Sequence, residues 1–98
     1  MKKISFILSL VLFSFYVMAD SGESLFSKCK GCHGDDGSKN ALGVSNPLKG
    51  QSKEDILKKL QGYKDGSYGG AKKSIMKGQV SGLSEDDMKA LAEYIAKF

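Results

Sequence analysis

Both cysteines and the single histidine of this 98-residue chain lie within one pentapeptide, Cys29-Lys30-Gly31-Cys32-His33. Sulfur and imidazole nitrogen are ligands for transition metals, so the first question is what such close spacing permits. A structural zinc site needs four ligands, and the chain has no second Cys or His pair to supply them. A thioredoxin-like dithiol wants a βαβ surround, and no segment here alternates with the period of a strand. A disulfide across so short a loop would constrain little chain entropy and would leave His33 without a role. Two thiols separated by two residues and followed at once by His are, by contrast, the arrangement for covalent haem attachment. One turn at a helix end presents both sulfurs to one edge of the macrocycle, where Cys29 and Cys32 add to its vinyl groups as thioethers. His33, next in the chain, then reaches the iron.

Iron held in this way has a second axial position, whose occupant decides between electron transfer and the binding of small molecules. The chain has no second His. Met1 and Met18 fall in the leader described below, which leaves Met76 and Met88. Met88 lies on the apolar face of the last expected helix and reads as a core residue. Met76 lies in GGAKKSIMKGQVSG, where glycines let the backbone bring a side chain to the iron, and it is the expected distal ligand. A thioether favours ferrous iron and raises the potential relative to a second imidazole. With both positions filled, the expected function is one-electron transfer between redox proteins, and the chain is not expected to be an enzyme. The alternative is a haem-based gas sensor or a small peroxidase with an open sixth iron position.

Helices separated by glycine-rich loops are expected to position these residues. The first is expected from about Ser21 to Lys30, with Asp20 as N-cap, Glu23 completing a capping box, and Leu25, Phe26 and Cys29 on one face. Residues 34–50, GDDGSKNALGVSNPLKG, read as a long loop wrapped around something, with Leu42, Val44 and Leu48 partly buried. Ser52 and Asp55 cap a second helix, whose Ile56, Leu57, Leu60 and Tyr63 form an apolar stripe ending near Lys64. Asp65-Gly66 and Gly69-Gly70 mark turns, and a short helical piece is expected over Ser74 to Lys77. Ser84 and Asp87 cap the last helix, with Met88, Leu91, Ala92 and Ile95 on its apolar face. The fold class is therefore all-α.

The leader MKKISFILSLVLFSFYVMAD has Lys2 and Lys3, an apolar run from Ile4 to Val17, and small residues near Ala19, the pattern of a secretory signal peptide. Residues 1–19 are expected to be cleaved after Ala19, placing residues 20–98 in the periplasm as one domain without stable membrane insertion. So small a domain rarely draws more than about 3 to 5 kcal/mol from its apolar core, so a staple, a metal or a cofactor is expected, and bound haem would meet that need. Fifteen lysines against eleven acids give a net charge of +4, and losing Lys2 and Lys3 with the leader brings it to +2. There is no Arg and no basic stripe interleaved with aromatics, which argues against nucleic-acid binding.

Together KCKGCHG, NPLKGQS, KLQGYKDGSYGG, SIMKGQV and LSEDDMKALAEYIAKF resemble the class I cytochromes c, in particular the small monohaem bacterial five-fifty-three type. The resemblance spans essentially residues 20–98. It implies the cytochrome c fold, about four short helices and glycine-rich loops around one covalent haem c per chain, in a monomer. It also implies that the Pro47 carbonyl accepts a hydrogen bond from His33, and that Tyr63 and Tyr68 lie near the haem and its propionates. Leu25 or Phe26 with Leu91 and Tyr94 resembles the crossing of first and last helices in this family, although the register of Gly22 relative to Cys29 departs from that of larger members. Lys28, Lys30, Lys72, Lys73 and Lys77 would ring the haem edge and steer redox partners with acidic docking surfaces.

Overall fold

The computed structural model describes residues 21–98, so the expected signal peptide, residues 1–19, and Asp20 lie outside the described residues. In chain order the elements are α1 Gly22–Phe26, α2 Lys30–His33, a 3-10 turn Ala41–Gly43, α3 Lys53–Asp65, α4 Lys73–Val80 and α5 Glu85–Ile95. There is no strand among the described residues. The all-α expectation holds, with five α-helices where about four were expected because the first stretch is broken in two.

That break has a local cause. Ser21, not Asp20, caps α1, accepting from the Ser24 N–H at 3.2 Å. Six residues later the Ser27 hydroxyl bonds back to the Ser24 carbonyl at 2.7 Å and competes with the helix's own ladder. Cys29 N–H then closes a tightened turn on the Phe26 carbonyl at 2.8 Å before α2 begins. Gly34, at φ 84° and ψ 163°, ends α2 in a backbone conformation that a side chain would resist.

The later helices follow their caps. Ser52 accepts from the Asp55 N–H at 3.1 Å, and α3 runs to Gly66, whose left-handed φ of 86° terminates it. Ser84 and Asp87 form a reciprocal capping box, with bonds of 3.1 and 3.0 Å, at the start of α5. Such a cap is worth about 1 kcal/mol. The helical piece expected over Ser74 to Lys77 extends to Lys73–Val80 and passes through Gly78.

The core lies where α1 crosses α5 and α5 packs on α3, with α4 against the outer side of α3. Phe26 is fully buried, with its ring 5.8 Å from Tyr94 and 5.0 Å from Phe98 between centroids. Leu25, Leu91, Ala92, Met88 and Ile95 join it, as do Ile56 and Leu60 of α3. Burying side chains such as Phe26 and Leu91 stabilises by about 1.5–3 kcal/mol each. The loop 34–50 folds back on itself, with Lys49 N–H on the Gly37 carbonyl at 3.0 Å. Of its apolar residues Leu48 packs on the core, whereas Leu42 and Val44 are 51% and 70% exposed, a departure from the expected partial burial. The 3-10 turn anchors itself through Ala41 and turns those two side chains toward the rim of a cavity.

Candidate functional site

One cavity of about 560 Å³ opens between α2, the 34–50 loop, α3 and α4. Cys29, Cys32, His33, Tyr63, Tyr68 and Met76 all line it, although they come from three helices and a loop. The break after α1 sets the pentapeptide's geometry: His33 N–H bonds to the Cys29 carbonyl at 3.0 Å, so both thiols and the imidazole share one helical turn. The Cys29 thiol is half-buried and directed at the Leu25 carbonyl at 3.9 Å, while Cys32 is exposed. Burial pushes the Cys29 thiol up, with Lys28 opposing, so at neutral pH it is held as a thiol and not as an activated thiolate.

His33 is 6% exposed, and burial pushes its basicity down, which keeps the imidazole neutral and able to ligate a metal. Its Nδ1 is buried without a hydrogen-bond partner among the described residues. Pro47 does not line the cavity, and its carbonyl accepts from Gln51 Nε2 at 2.8 Å. Met76 is half-buried on the cavity wall and packs against the core cluster. It stands on helix α4, which takes in the short helical piece expected over Ser74 to Lys77. Met88 is 2% exposed within the core and has no place on the wall. Tyr63 and Tyr68 meet edge to face, with centroids 5.0 Å apart. Burial, and then the Tyr68 phenol, pushes the Tyr63 hydroxyl up, so it stays protonated.

The residues fit a haem. No group of three or more His, Cys, Asp or Glu side chains that could hold a bare metal ion occurs among the described residues. The wall is chiefly apolar, carries Lys28, Lys59, Lys72 and Lys73 with no carboxylate, and presents paired thiols, an imidazole with an orphaned nitrogen, and a thioether. That donor set and charge suit a flat apolar macrocycle with acidic side groups.

Polar residues that spacing alone did not mark also face the cavity. Lys59 falls in the apolar stripe of α3, three residues after Ile56, and that position is the signal that could have found it. Gln51 and Ser45 carry no such signal. Lys28 donates to the Gln79 carbonyl at 2.9 Å, tying the segment before α2 to the end of α4.

Comparison with known proteins agrees with this geometry. The Cytochrome c family matches residues 19–98. Cytochrome c-553 of Nitratidesulfovibrio vulgaris is 51% identical over 80 residues, covering 82% of this chain and 78% of that one. Cytochrome c-553 of Desulfomicrobium norvegicum is 42% identical over 80 residues, covering 81% and 98% respectively. Cytochrome c-553 of Helicobacter pylori is 38% identical over 95 residues, covering 97% and 96%. The chain belongs to the cytochrome c family, whose members carry covalently bound haem c. Within the family it is a small class I monohaem cytochrome of the c-553 type, with one haem per chain.

Proposed function

We propose that this small cytochrome c electron carrier works in the periplasm, after cleavage behind Ala19, with His33 and Met76 as the axial iron ligands. The observation that carries the reading is the division of the two methionines: Met76 shares the cavity wall with His33, whereas Met88 is spent in the core. When bound, the haem supplies a reversible one-electron change at iron. The chain's residues set the terms of that change. Cys29 and Cys32 would anchor the cofactor edge through thioether bonds, and neutral His33 would offer one nitrogen to the iron. Its Nδ1–H is then left to donate, and the Pro47 carbonyl, whose second lone pair Gln51 leaves free, is its proposed acceptor. Tyr63 and Tyr68 close the periphery with protonated phenols.

Two filled axial positions leave no place for a substrate, which is why the chain is read as a carrier and not as an enzyme. Lys28, Lys72 and Lys73 stand exposed on the cavity wall, and Lys30 and Lys77 are exposed on α2 and α4. Together they form a cationic rim that would steer acidic redox proteins, an effect on association rate that salt weakens. No helix among the described residues is long and apolar enough to cross a membrane. Absorption spectroscopy of the holoprotein tests the reading. The ferric form should show a weak far-red sulfur-to-iron band, and the ferrous form should resist carbon monoxide. No far-red band together with ready carbon monoxide binding at neutral pH would mean an open sixth position and the sensor or peroxidase alternative.

A further inference from the structure

The lysines on the cavity wall are not equivalent. Lys28, Lys72 and Lys73 are exposed, whereas Lys59 is half-buried, alone in this among the lysines of the described residues. A partly buried ammonium is costly unless an anion or a set of acceptors meets it. The ion pairs among the described residues are Lys49 with Asp36 and Lys53 with Glu93, and neither involves Lys59. Its ammonium donates instead to Gln51 Oε1 at 2.6 Å, and Gln51 Nε2 donates onward to the Pro47 carbonyl at 2.8 Å. Lys59 is thereby steered to the cavity with donor capacity to spare, since an ammonium has three N–H groups.

A second observation is independent of the charge. Ser45 lines the same cavity two residues before Pro47, and its hydroxyl oxygen is buried with no hydrogen-bond partner. Apart from His33 Nδ1 it is the one such side-chain atom among the described residues. A buried hydroxyl left unmatched costs about 1–3 kcal/mol, so the pair of an unsatisfied O–H and an unpaired ammonium calls for one acceptor of negative charge. Haem carries two propionate carboxylates on the side of the ring away from the vinyl groups that the cysteines engage. Cys32 comes from α2, which packs on the 3-10 turn, and Lys59 comes from α3, which packs on α4 and α5.

We propose that Ser45 and Lys59 together bind one propionate carboxylate of the haem, with Gln51 holding Lys59 in position. The inference rests on the cofactor of the family and not on which residues are the axial ligands. Resonance Raman spectra of holoproteins resolve the propionate bending band, whose position follows hydrogen bonding to the carboxylate. Ser45→Ala and Lys59→Met should each shift that band. Lys58→Met, which removes the same charge from an exposed site on the same helix, should leave it in place. Ser45→Thr keeps the hydroxyl and should return the band to its original position, which separates a lost bond from a disturbed loop. The reduction potential should fall further in Lys59→Met than in Lys58→Met, because the lost cation sits nearer the iron's changing charge. A band unmoved in either Ser45→Ala or Lys59→Met, or moved as far in Lys58→Met, overturns the assignment. Failure of the axial reading would show separately, as a missing far-red band in the unsubstituted protein.

Discussion

Met76 and Met88 are the same side chain in two settings, and the setting decides what each substitution does. Met76→Ala should abolish the far-red band and admit carbon monoxide to the ferrous protein with a modest loss of stability. Met88→Ala should keep the spectrum while costing about 2–5 kcal/mol of stability, read by denaturant unfolding, because it opens a hole in a closed core. Two carboxylates set a pH dependence. Hydrogen bonds from Ser38, side chain first and then N–H, hold Asp36 below the usual range, and Ser67 does the same for Asp65. The unfolded chain binds protons more readily at these sites, so their contribution is complete above the ordinary carboxylate value of about 3.9 and is lost as pH falls below it. A double variant, Asp36→Asn with Asp65→Asn, should have a lower Tm near neutral pH, and the gap should close in acid. At this scale the placing of the cysteines, His33 and Met76 on one cavity wall, and of Met88 in the core, was legible, because each residue type is scarce and scarcity allows elimination. Ser45 was not, since one serine among many is marked only by where the backbone carries it, and Lys59 was marked only by its place in the apolar stripe of α3.

Between elements, the tightest demand falls on Gly22. A Cβ there would overlap the Ala90 carbonyl oxygen and stand 2.6 Å from Tyr94 Cβ, so the absence of a side chain is what lets α1 lie against α5. Gly22→Ala should cost about 1–3 kcal/mol by forcing the helices apart, while Gly31→Ala, whose Cβ would meet nothing within 4 Å, should be neutral or slightly stabilising. Thermal unfolding of the two holoproteins checks the contrast. The starts of α3 and α5 were legible because Ser52 and Ser84 announce them three residues ahead of Asp55 and Asp87. The split of the first helix was not, because it turns on one hydroxyl, that of Ser27, preferring a backbone carbonyl to solvent. Leu42 and Val44 misled for a related reason: apolar character says that a side chain seeks cover but not whether the chain itself provides it.

For the whole molecule, the division between core and cavity matters most. The buried side chains gather where α1, α3 and α5 meet, joined by Val80 of α4, while α2, the 34–50 loop and the Met76 side of α4 face the cavity. A chain of this size has a thin margin of stability, so its cavity-facing half depends on the cofactor, much as small metal-dependent domains do. Haem-free protein, made by replacing Cys29 and Cys32 with Ser, should lack the cooperative thermal transition of the holoprotein when followed by circular dichroism. A transition matching that of the holoprotein would refute this. The all-α class was legible from period and capping, but the location of the cavity was not, because it depends on packing between segments far apart in the chain.

The crossing of α1 on α5 also bears on timing. A chain emerging N-terminus first cannot complete that crossing until Ile95 has appeared, because the partner that buries Phe26 is the last helix made. Until then Cys29 and Cys32 belong to an open chain, accessible to whatever machinery joins them to haem, and closure of the fold afterwards withdraws Cys29 into a half-buried position. The order of the helices thus acts as a clock that holds the attachment window open until synthesis has passed α5. Truncation before Ser84 should hold it open permanently, leaving Cys29 as reactive toward a maleimide as it is in denaturant.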